Sequence, residues 1–295
     1  MNSIIQKSIV NKNIESEAKN IWITKASGER AIFSKKKLRN SLEKSGANEK
    51  NIQTVISEIE KLLHPGMHTK EIYKKAFALL RKTSRPTAAR YKLKRAIMQL
   101  GPSGFPFEQY IAEVFRCDGY RVSVGEFVKG HCITHEVDII AKKKNQRFVI
   151  ECKFHSDSNR ICDVKIPLYI NSRFLDMKKE RNKTNGHDSP PYQGWIVTNT
   201  RFSKDAMQYG TCAGLYLLGW NYPRSGSLKE RIDLAGVHPI TCMTTMTGKE
   251  KQRLLKKMVV LAKDLCHDRK ILLDIGISEL RAKRIMEEAR GLCGV

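Results

Sequence analysis

The stretch Gly101-Pro102-Ser103-Gly104-Phe105-Pro106-Phe107 puts two glycines and two prolines into seven residues. Proline lacks the N–H that a helix interior or an inner strand needs, and glycine loses the most backbone freedom on being ordered. No regular element runs through such a stretch. The 295-residue chain is therefore expected to form at least two bodies, one on each side of it. With 41% hydrophobic residues there is enough apolar material for a core in each.

The break also divides the charge. The chain has 54 Lys and Arg against 30 Asp and Glu, a net charge of +24. Residues 21–100 hold 19 basic and 6 acidic residues, net +13, whereas 105–225 and 226–295 are each net +5. So basic a balance is the footprint of a protein that meets nucleic acid. The first body in particular is expected to meet phosphates. The plainer alternative is a solvated basic surface.

Eight scattered cysteines include no C-x-x-C pair, which predicts reduced thiols packed as small hydrophobes, no zinc ribbon and a cytoplasmic protein. The N-terminal residues lack the apolar core of a signal peptide, and no apolar run is long enough for a membrane span.

Local patterns predict a multi-domain α/β protein. Residues 1–20 read as a flexible arm, 21–100 as a small α+β domain, 101–106 as a linker, 107–225 as a mixed-sheet α/β/α domain and 226–295 as a helical segment. The first domain opens with a hairpin across "IWITKASGERAIF". Leu38, Leu42, Ile52, Val55, Ile56, Ile59, Leu62 and Leu63 then recur at helical spacing, and Thr69 suits the cap of a helix starting at Lys70. "TSRPTAARYKLKRAIMQL" supplies its last helix. The second domain reads α-β-β-β-α-β-α-β, with a helix at 107–117, strands at 120–127, 136–141 and 147–154, a helix across 163–182 and a loop at 182–191. Thr247 and Glu250 fit a capping box, and Ser278 suits the cap of a last helix.

The chemistry concentrates in "FVIECKF" (148–154) and "HEVDIIA" (135–141), joined by the turn "KKKNQR". Alternation puts Phe148, Ile150, Cys152 and Phe154 on one face, and Val149, Glu151 and Lys153 on the other, side by side on a surface. Asp138 is expected on the face opposite to Val137 and Ile139, and an antiparallel hairpin brings it near Glu151. In the helix 107–117, Glu108 borders the apolar face of Phe107, Ile111, Val114 and Phe115, whereas Glu113 points away from it. Carboxylates beside an ammonium suit metal-dependent hydrolysis: the acids hold Mg²⁺ or Mn²⁺, and the lysine orients or deprotonates the attacking water. A cross-strand surface salt bridge is the competing reading.

"GFPFEQYIAEVFRCDGYRV", "HEVDIIA", "FVIECKF", "WIVTNTRFSKDA" and "LYLLGW" together resemble the Mrr-type branch of the PD-(D/E)xK, or restriction-endonuclease-like, nucleases over about 104–220. The resemblance implies catalytic roles for Glu108, Asp138, Glu151 and Lys153. It also implies a metal held by Asp138, Glu151 and the main-chain carbonyl of Cys152, and DNA as substrate. Mrr-type proteins often carry Gln in place of Glu151.

"ITKASGERAIFSKKKLRNSLEKSG", "HTKEIYKKAFALL" and "AARYKLKRA" resemble an ATP-cone, the nucleotide-sensing domain of ribonucleotide reductases and their repressor. This implies that Lys25, Lys37 and Thr69 hold a purine nucleotide, ATP or dATP, that regulates cutting or assembly. The usual Lys-Arg pair is Lys25-Ala26 here. A basic helical module that docks on DNA is the alternative for this domain. For the whole chain the alternative is a nucleotide-sensing, non-catalytic DNA binder of the repressor kind, although such repressors carry the zinc ribbon absent here. Room is left for a homo-oligomer.

His131, Cys132, His135 and Asp138 lie close together but lack zinc-site spacing and are expected at loop or strand positions. Trp195 and Trp220 are expected in the core. "LLDIGISELRAKRIMEEARGLC" resembles helix-hairpin-helix DNA binders, offering Arg281, Lys283 and Arg284 to phosphates or simply packing as a helix.

Overall fold

The computed structural model describes residues 21–25, 27–185 and 192–294. The expected N-terminal arm, Ala26 of the hairpin turn and residues 186–191 of the expected loop lie outside the described residues. The chain divides into two compact units, the first ending at Thr83 and the second beginning at Ser84.

The first unit carries strands β1 (Trp22–Thr24), β2 (Arg30–Ile32) and β3 (Met67–His68) in the order β2-β1-β3. β1 and β2 form the expected antiparallel hairpin. Its turn is closed by the Lys25 N–H on the Glu29 carbonyl at 2.8 Å, and Gly28 supplies a φ of 82° that a side chain would disfavour. β3 runs parallel to β1, pairing Thr24 with His68, so Lys25 and Thr69 continue side by side. Helices α1 (Lys35–Glu43), α2 (Glu49–Leu62) and α3 (Thr69–Thr83) complete the unit. Ser34 caps α1 and Asn48 caps α2, each accepting an N–H that would otherwise lack a partner. Leu38, Leu42, Ile52, Val55, Ile56 and Ile59 are buried as expected, but Leu62 is exposed at the end of α2.

The second unit begins with two short helices, α4 (Arg85–Tyr91) and α5 (Leu93–Ile97), followed by α6 (Phe105–Cys117). Its sheet has the strand order β10-β8-β6-β5-β4. Strands β4 (Arg121–Lys129), β5 (Thr134–Lys143) and β6 (Gln146–Lys153) form an antiparallel meander. Strands β8 (Tyr192–Thr198) and β10 (Tyr216–Leu218) add parallel to β6, while β7 (Ile161–Cys162) and β9 (Arg201–Phe202) pair separately. Helices α7 (Lys165–Asn185) and α8 (Lys204–Cys212) connect these strands, and α7 continues past the point where a loop was expected.

Both faces of the sheet are covered. On one, Phe107, Ile111, Val114 and Phe115 of α6 share a core with Ile139, Phe148, Ile150 and Trp195. The ring of Trp195 meets Phe115 and Phe148 edge-on at centroid distances of 5.4 and 5.2 Å. Each such contact adds about 0.5–1.5 kcal/mol beyond area burial. On the other face, Val137, Ile140 and Val149 pack with Met177 of α7. Trp220 is buried too.

The Gly-Pro stretch does not separate the two units. Ala89, Leu93, Ala96, Ile97 and Leu100 lie in the same core as α6 and the C-terminal residues Leu254, Leu261 and Ile285. Lys92 Nζ donates to the Thr241 carbonyl at 3.0 Å, and the Thr241 hydroxyl donates to the Ala96 carbonyl at 2.7 Å. Residues 101–104 are a bend inside this unit, where a Cβ on Gly101 would come 2.5 Å from the Phe154 ring. The C-terminal segment is helical, and Thr247 and Glu250 form the expected capping box. Ser278 precedes the last helix without a side-chain cap bond. Arg281 is committed to Glu250 at 3.1 Å, whereas Lys283 and Arg284 stay exposed.

Candidate active site

The antiparallel register of β5 and β6 pairs Ile139 with Ile150, which carries Asp138 toward Glu151. Regular pairing ends there. The Cys152 N–H donates to Asp138 Oδ2 at 2.7 Å, so the carboxylate takes a bond that a main-chain carbonyl would take in an unbroken ladder. Val137 lies in the core facing α7 and Ile139 in the core facing α6, so the expectation that these two share a face is corrected. β4 changes faces at the same level: Val124 packs toward α6 and Val128 toward α7, with Gly125 between them at φ 69°. A glycine inside a strand often marks such an irregularity. Here Gly125 and Asp138 stand at the same level and absorb it together.

Glu151 is also not on an open surface. It is only 5% exposed because α7 lies over its face of the sheet. A buried carboxylate must be paired. Glu151 accepts from Lys153 Nζ at 2.8 Å on Oε1 and from Arg173 of α7 at 2.6 Å on Oε2. Arg173 also donates to the Glu136 carbonyl, and its guanidinium lies 5.7 Å from the Tyr169 ring centre. Arg173 was missed by sequence reasoning. Its signal was a cation directly beside Phe174, on the side of the helix where Ile170 and Met177 are buried.

Glu108 approaches from the first turn of α6. Burial, then the charges of Asp138, Glu151 and Glu136, push its pKa up to about 7. Asp138 is pushed up to about 6 by burial and then by Glu151, against the Cys152 N–H and the nearby cations. Burial opposes the ammonium of Lys153, but Glu151 and then Asp138 outweigh it and hold its pKa above the ordinary lysine value. Glu113, on the same helix, instead pairs with Arg116 and with Lys263 at 3.4 Å.

The structure therefore brings Glu108, Asp138, Glu151 and Lys153 together and adds Arg173. The donor set is all oxygen, which suits Mg²⁺ or Mn²⁺ rather than zinc. The raised pKa values of two of the acids reflect burial first and the neighbouring carboxylates second. Among the described residues no three His, Cys, Asp or Glu side chains close on one point as metal ligands would. A hard cation here would rest on two carboxylates, a main-chain carbonyl and water. His135 is occupied otherwise: it meets Asp176 at 2.8 Å, and Asp176, its pKa lowered chiefly by that bond, also accepts the Cys132 N–H at 2.9 Å.

In the first unit, Lys25 and Thr69 line one groove of about 610 Å³ with Gly28, His68, Lys70, Lys74 and one acid, Glu71. Lys37 is not among its lining residues; its main-chain N–H is the one that Ser34 caps. Lys25 pairs with Glu29 at 3.0 Å. No helix among the described residues is long and apolar enough to cross a membrane, and the eight cysteines are free.

Comparison with known proteins assigns the class first. Residues 101–166 match a restriction endonuclease family, and this span contains Glu108, Asp138, Glu151 and Lys153. Residues 238–293 match the family described as AF1548-like, C-terminal. An uncharacterized protein of Archaeoglobus fulgidus is 30% identical over 185 residues, which cover 62% of this chain and 100% of the relative. The crystal structure of AF1548, a protein of unknown function, aligns with a TM-score of 0.54 and 28% identity over 65% of this chain and 99% of that one. The MspJI restriction endonuclease in complex with a 27-mer oligonucleotide aligns at a TM-score of 0.31 and 13% identity, over 59% of this chain and 36% of that one. The chain belongs to the AF1548-like family and carries a restriction-endonuclease domain in its second unit.

Proposed function

We propose that the second unit is a metal-dependent endodeoxyribonuclease of the PD-(D/E)xK type. The observation that carries this reading is the convergence of Glu108, Asp138, Glu151 and Lys153, with two of the acids carrying raised pKa values. Asp138, Glu151 and the Cys152 carbonyl would hold Mg²⁺ or Mn²⁺. Such an ion, when bound, offsets charge on the phosphate and acidifies water. Lys153, held as an ammonium by Glu151, orients the attacking water rather than deprotonating it. Glu108, with a pKa near 7, is the better acceptor for the water's proton at neutral pH. Arg173 holds Glu151 in place. The test is cleavage of plasmid DNA with Mg²⁺ or Mn²⁺ by wild type and by Lys153→Ala.

A second reading, a DNA binder that does not cut, is favoured by one observation: both oxygens of Glu151 are already taken by cations. Binding without cutting under every divalent cation tried would support it.

For the first unit we propose that a purine nucleoside triphosphate, ATP or dATP, binds the groove beside Lys25 and Thr69 and regulates the second unit. Lys25, Lys70 and Lys74 supply point charges for the phosphates. Lys37 then acts from outside the groove lining or has no part. Calorimetric titration with ATP tests this.

A further inference from the structure

Resting on the nuclease reading of the second unit, we propose that Lys94 and Arg201 form a phosphate subsite that receives the DNA backbone next to the phosphodiester facing Glu151 and Lys153. The parallel strands β6 and β8 end side by side, Lys153 paired with Thr198. Ligands of open α/β sheets gather at such carboxyl ends. Here the two ends and α5 are held together by one residue. Asn199 is fully buried. Its Oδ1 accepts the His155 N–H at 2.9 Å, and its Nδ2 donates to the His155 carbonyl at 2.7 Å and to Met98 Sδ at 3.2 Å. Lys94 lies one turn before Met98, and Arg201 lies two residues after Asn199, so both issue from this junction.

The two cations are arranged as a ligand site would be and not as a paired surface. Both are exposed, yet Lys94 has enough protein around it that burial lowers its pKa, with the charge of Arg201 adding to the effect. Among the described residues neither Lys94 nor Arg201 makes an ion pair, and neither does Arg160 nearby. The pKa of His155 is lowered by burial, then by Arg160 and Lys153. The acid acting on it, Asp157, accepts the Asn159 N–H at 2.9 Å. The α4–α5 stretch itself, residues 84–100, carries Arg85, Arg90, Lys92, Lys94 and Arg95 and no acid. Cations that issue from one junction without paired acids are stabilised by a phosphate, and a continuous backbone supplies one on each side of the bond to be cut.

The test is binding of a short labelled DNA duplex of mixed sequence to the full chain, in EDTA, as a function of salt. Each of Lys94→Ala and Arg201→Ala should weaken binding about tenfold at low salt and reduce the slope of log affinity against log salt by about 0.9. Lys94→Arg and Arg201→Lys, which keep the charge and test for damage to the fold, should restore most of the slope. Lys256→Ala, which removes an exposed charge from the C-terminal helices, should leave it unchanged. If the Lys94→Ala/Arg201→Ala double variant keeps the wild-type slope and affinity, the subsite is wrong. If the slope falls while wild type cuts DNA with no divalent cation tried, the subsite stands and the nuclease reading fails.

Discussion

The guanidinium of Arg173 lies 2.6 Å from Glu151 Oε2, while Lys153 Nζ lies 2.8 Å from Oε1 of the same carboxylate. One acid at the end of a buried strand is thus gripped from two sides, by its own strand and by the helix that covers it. Removing one partner of a buried ion pair leaves charge uncompensated and costs about 3–5 kcal/mol. Because Lys153 remains, Arg173→Gln is expected to cost on the order of 2–3 kcal/mol, with Arg173→Lys recovering part. Lys61→Gln, which breaks an exposed pair with Glu58, should cost under about 1 kcal/mol. Urea unfolding of the variants checks the ranking; an Arg173→Gln protein as stable as Lys61→Gln would remove the grip.

Glu108 and Glu113 share a helix but not an environment. Glu108→Gln should reduce cutting by about a hundredfold or more, the usual scale for a proton-transfer group. Glu113→Gln should change it little, since that side chain pairs with Arg116 and Lys263. Equal, small effects in a steady-state cleavage assay would take Glu108 out of the site.

The raised acids also bear on stability. A carboxyl whose folded pKa exceeds its unfolded value favours the fold when protonated, and that contribution is lost as pH rises from the unfolded toward the folded pKa. For Asp138 the window runs from about pH 4 to about 6, and for Glu108 from about pH 4 to about 7. Metal-free Asp138→Asn should therefore gain stability over wild type at pH 8, by about 1–2 kcal/mol after allowance for solvent screening, and gain almost nothing at pH 4. Mg²⁺ or Mn²⁺ should narrow the gap at pH 8. Thermal melts at the two pH values, with and without the ion, decide; a gap independent of pH would mean that the fold does not raise the Asp138 pKa.

Much of this site was legible in the chain. The alternation of "FVIECKF" separated Glu151 and Lys153 from the apolar face, the hairpin turn brought in Asp138, and helical spacing distinguished Glu108 from Glu113. What was hidden depended on elements meeting across long sequence distances. Nothing local to β6 shows that α7 covers Glu151 or that Arg173 arrives with it. The slip at Asp138 depends on Gly125 of a neighbouring strand. The division between units lies at Thr83/Ser84 and not at the Gly-Pro stretch, because residues 84–100 bond to Thr241 and share a core with the C-terminal helices. A bend and a linker have the same composition; those long-range contacts and the close approach of Gly101 to Phe154 tell them apart.

The nucleotide proposal for the first unit separates Lys25 and Thr69 from Lys37. Lys25→Ala with Thr69→Ala should weaken ATP binding roughly a hundredfold, at about 1.5 kcal/mol for each lost contact to a charged phosphate. Lys37→Ala should have a smaller effect, since Lys37 does not line the groove. Calorimetry on the full chain checks this, and unchanged ATP binding in the double variant would leave the groove without its nucleotide.

On the proposed reading, Asp138, Glu151 and Lys153 cut DNA with a divalent cation. The direct measurement is the conversion of supercoiled plasmid to nicked and linear forms by the purified full chain, with Mg²⁺, with Mn²⁺ and in EDTA. Wild type should cut with either ion and not in EDTA. Asp138→Asn and Lys153→Ala should lose cutting while binding duplex DNA in EDTA within a fewfold of wild type. Cutting that persists in EDTA, or in Asp138→Asn and Lys153→Ala at the wild-type rate, would contradict the account.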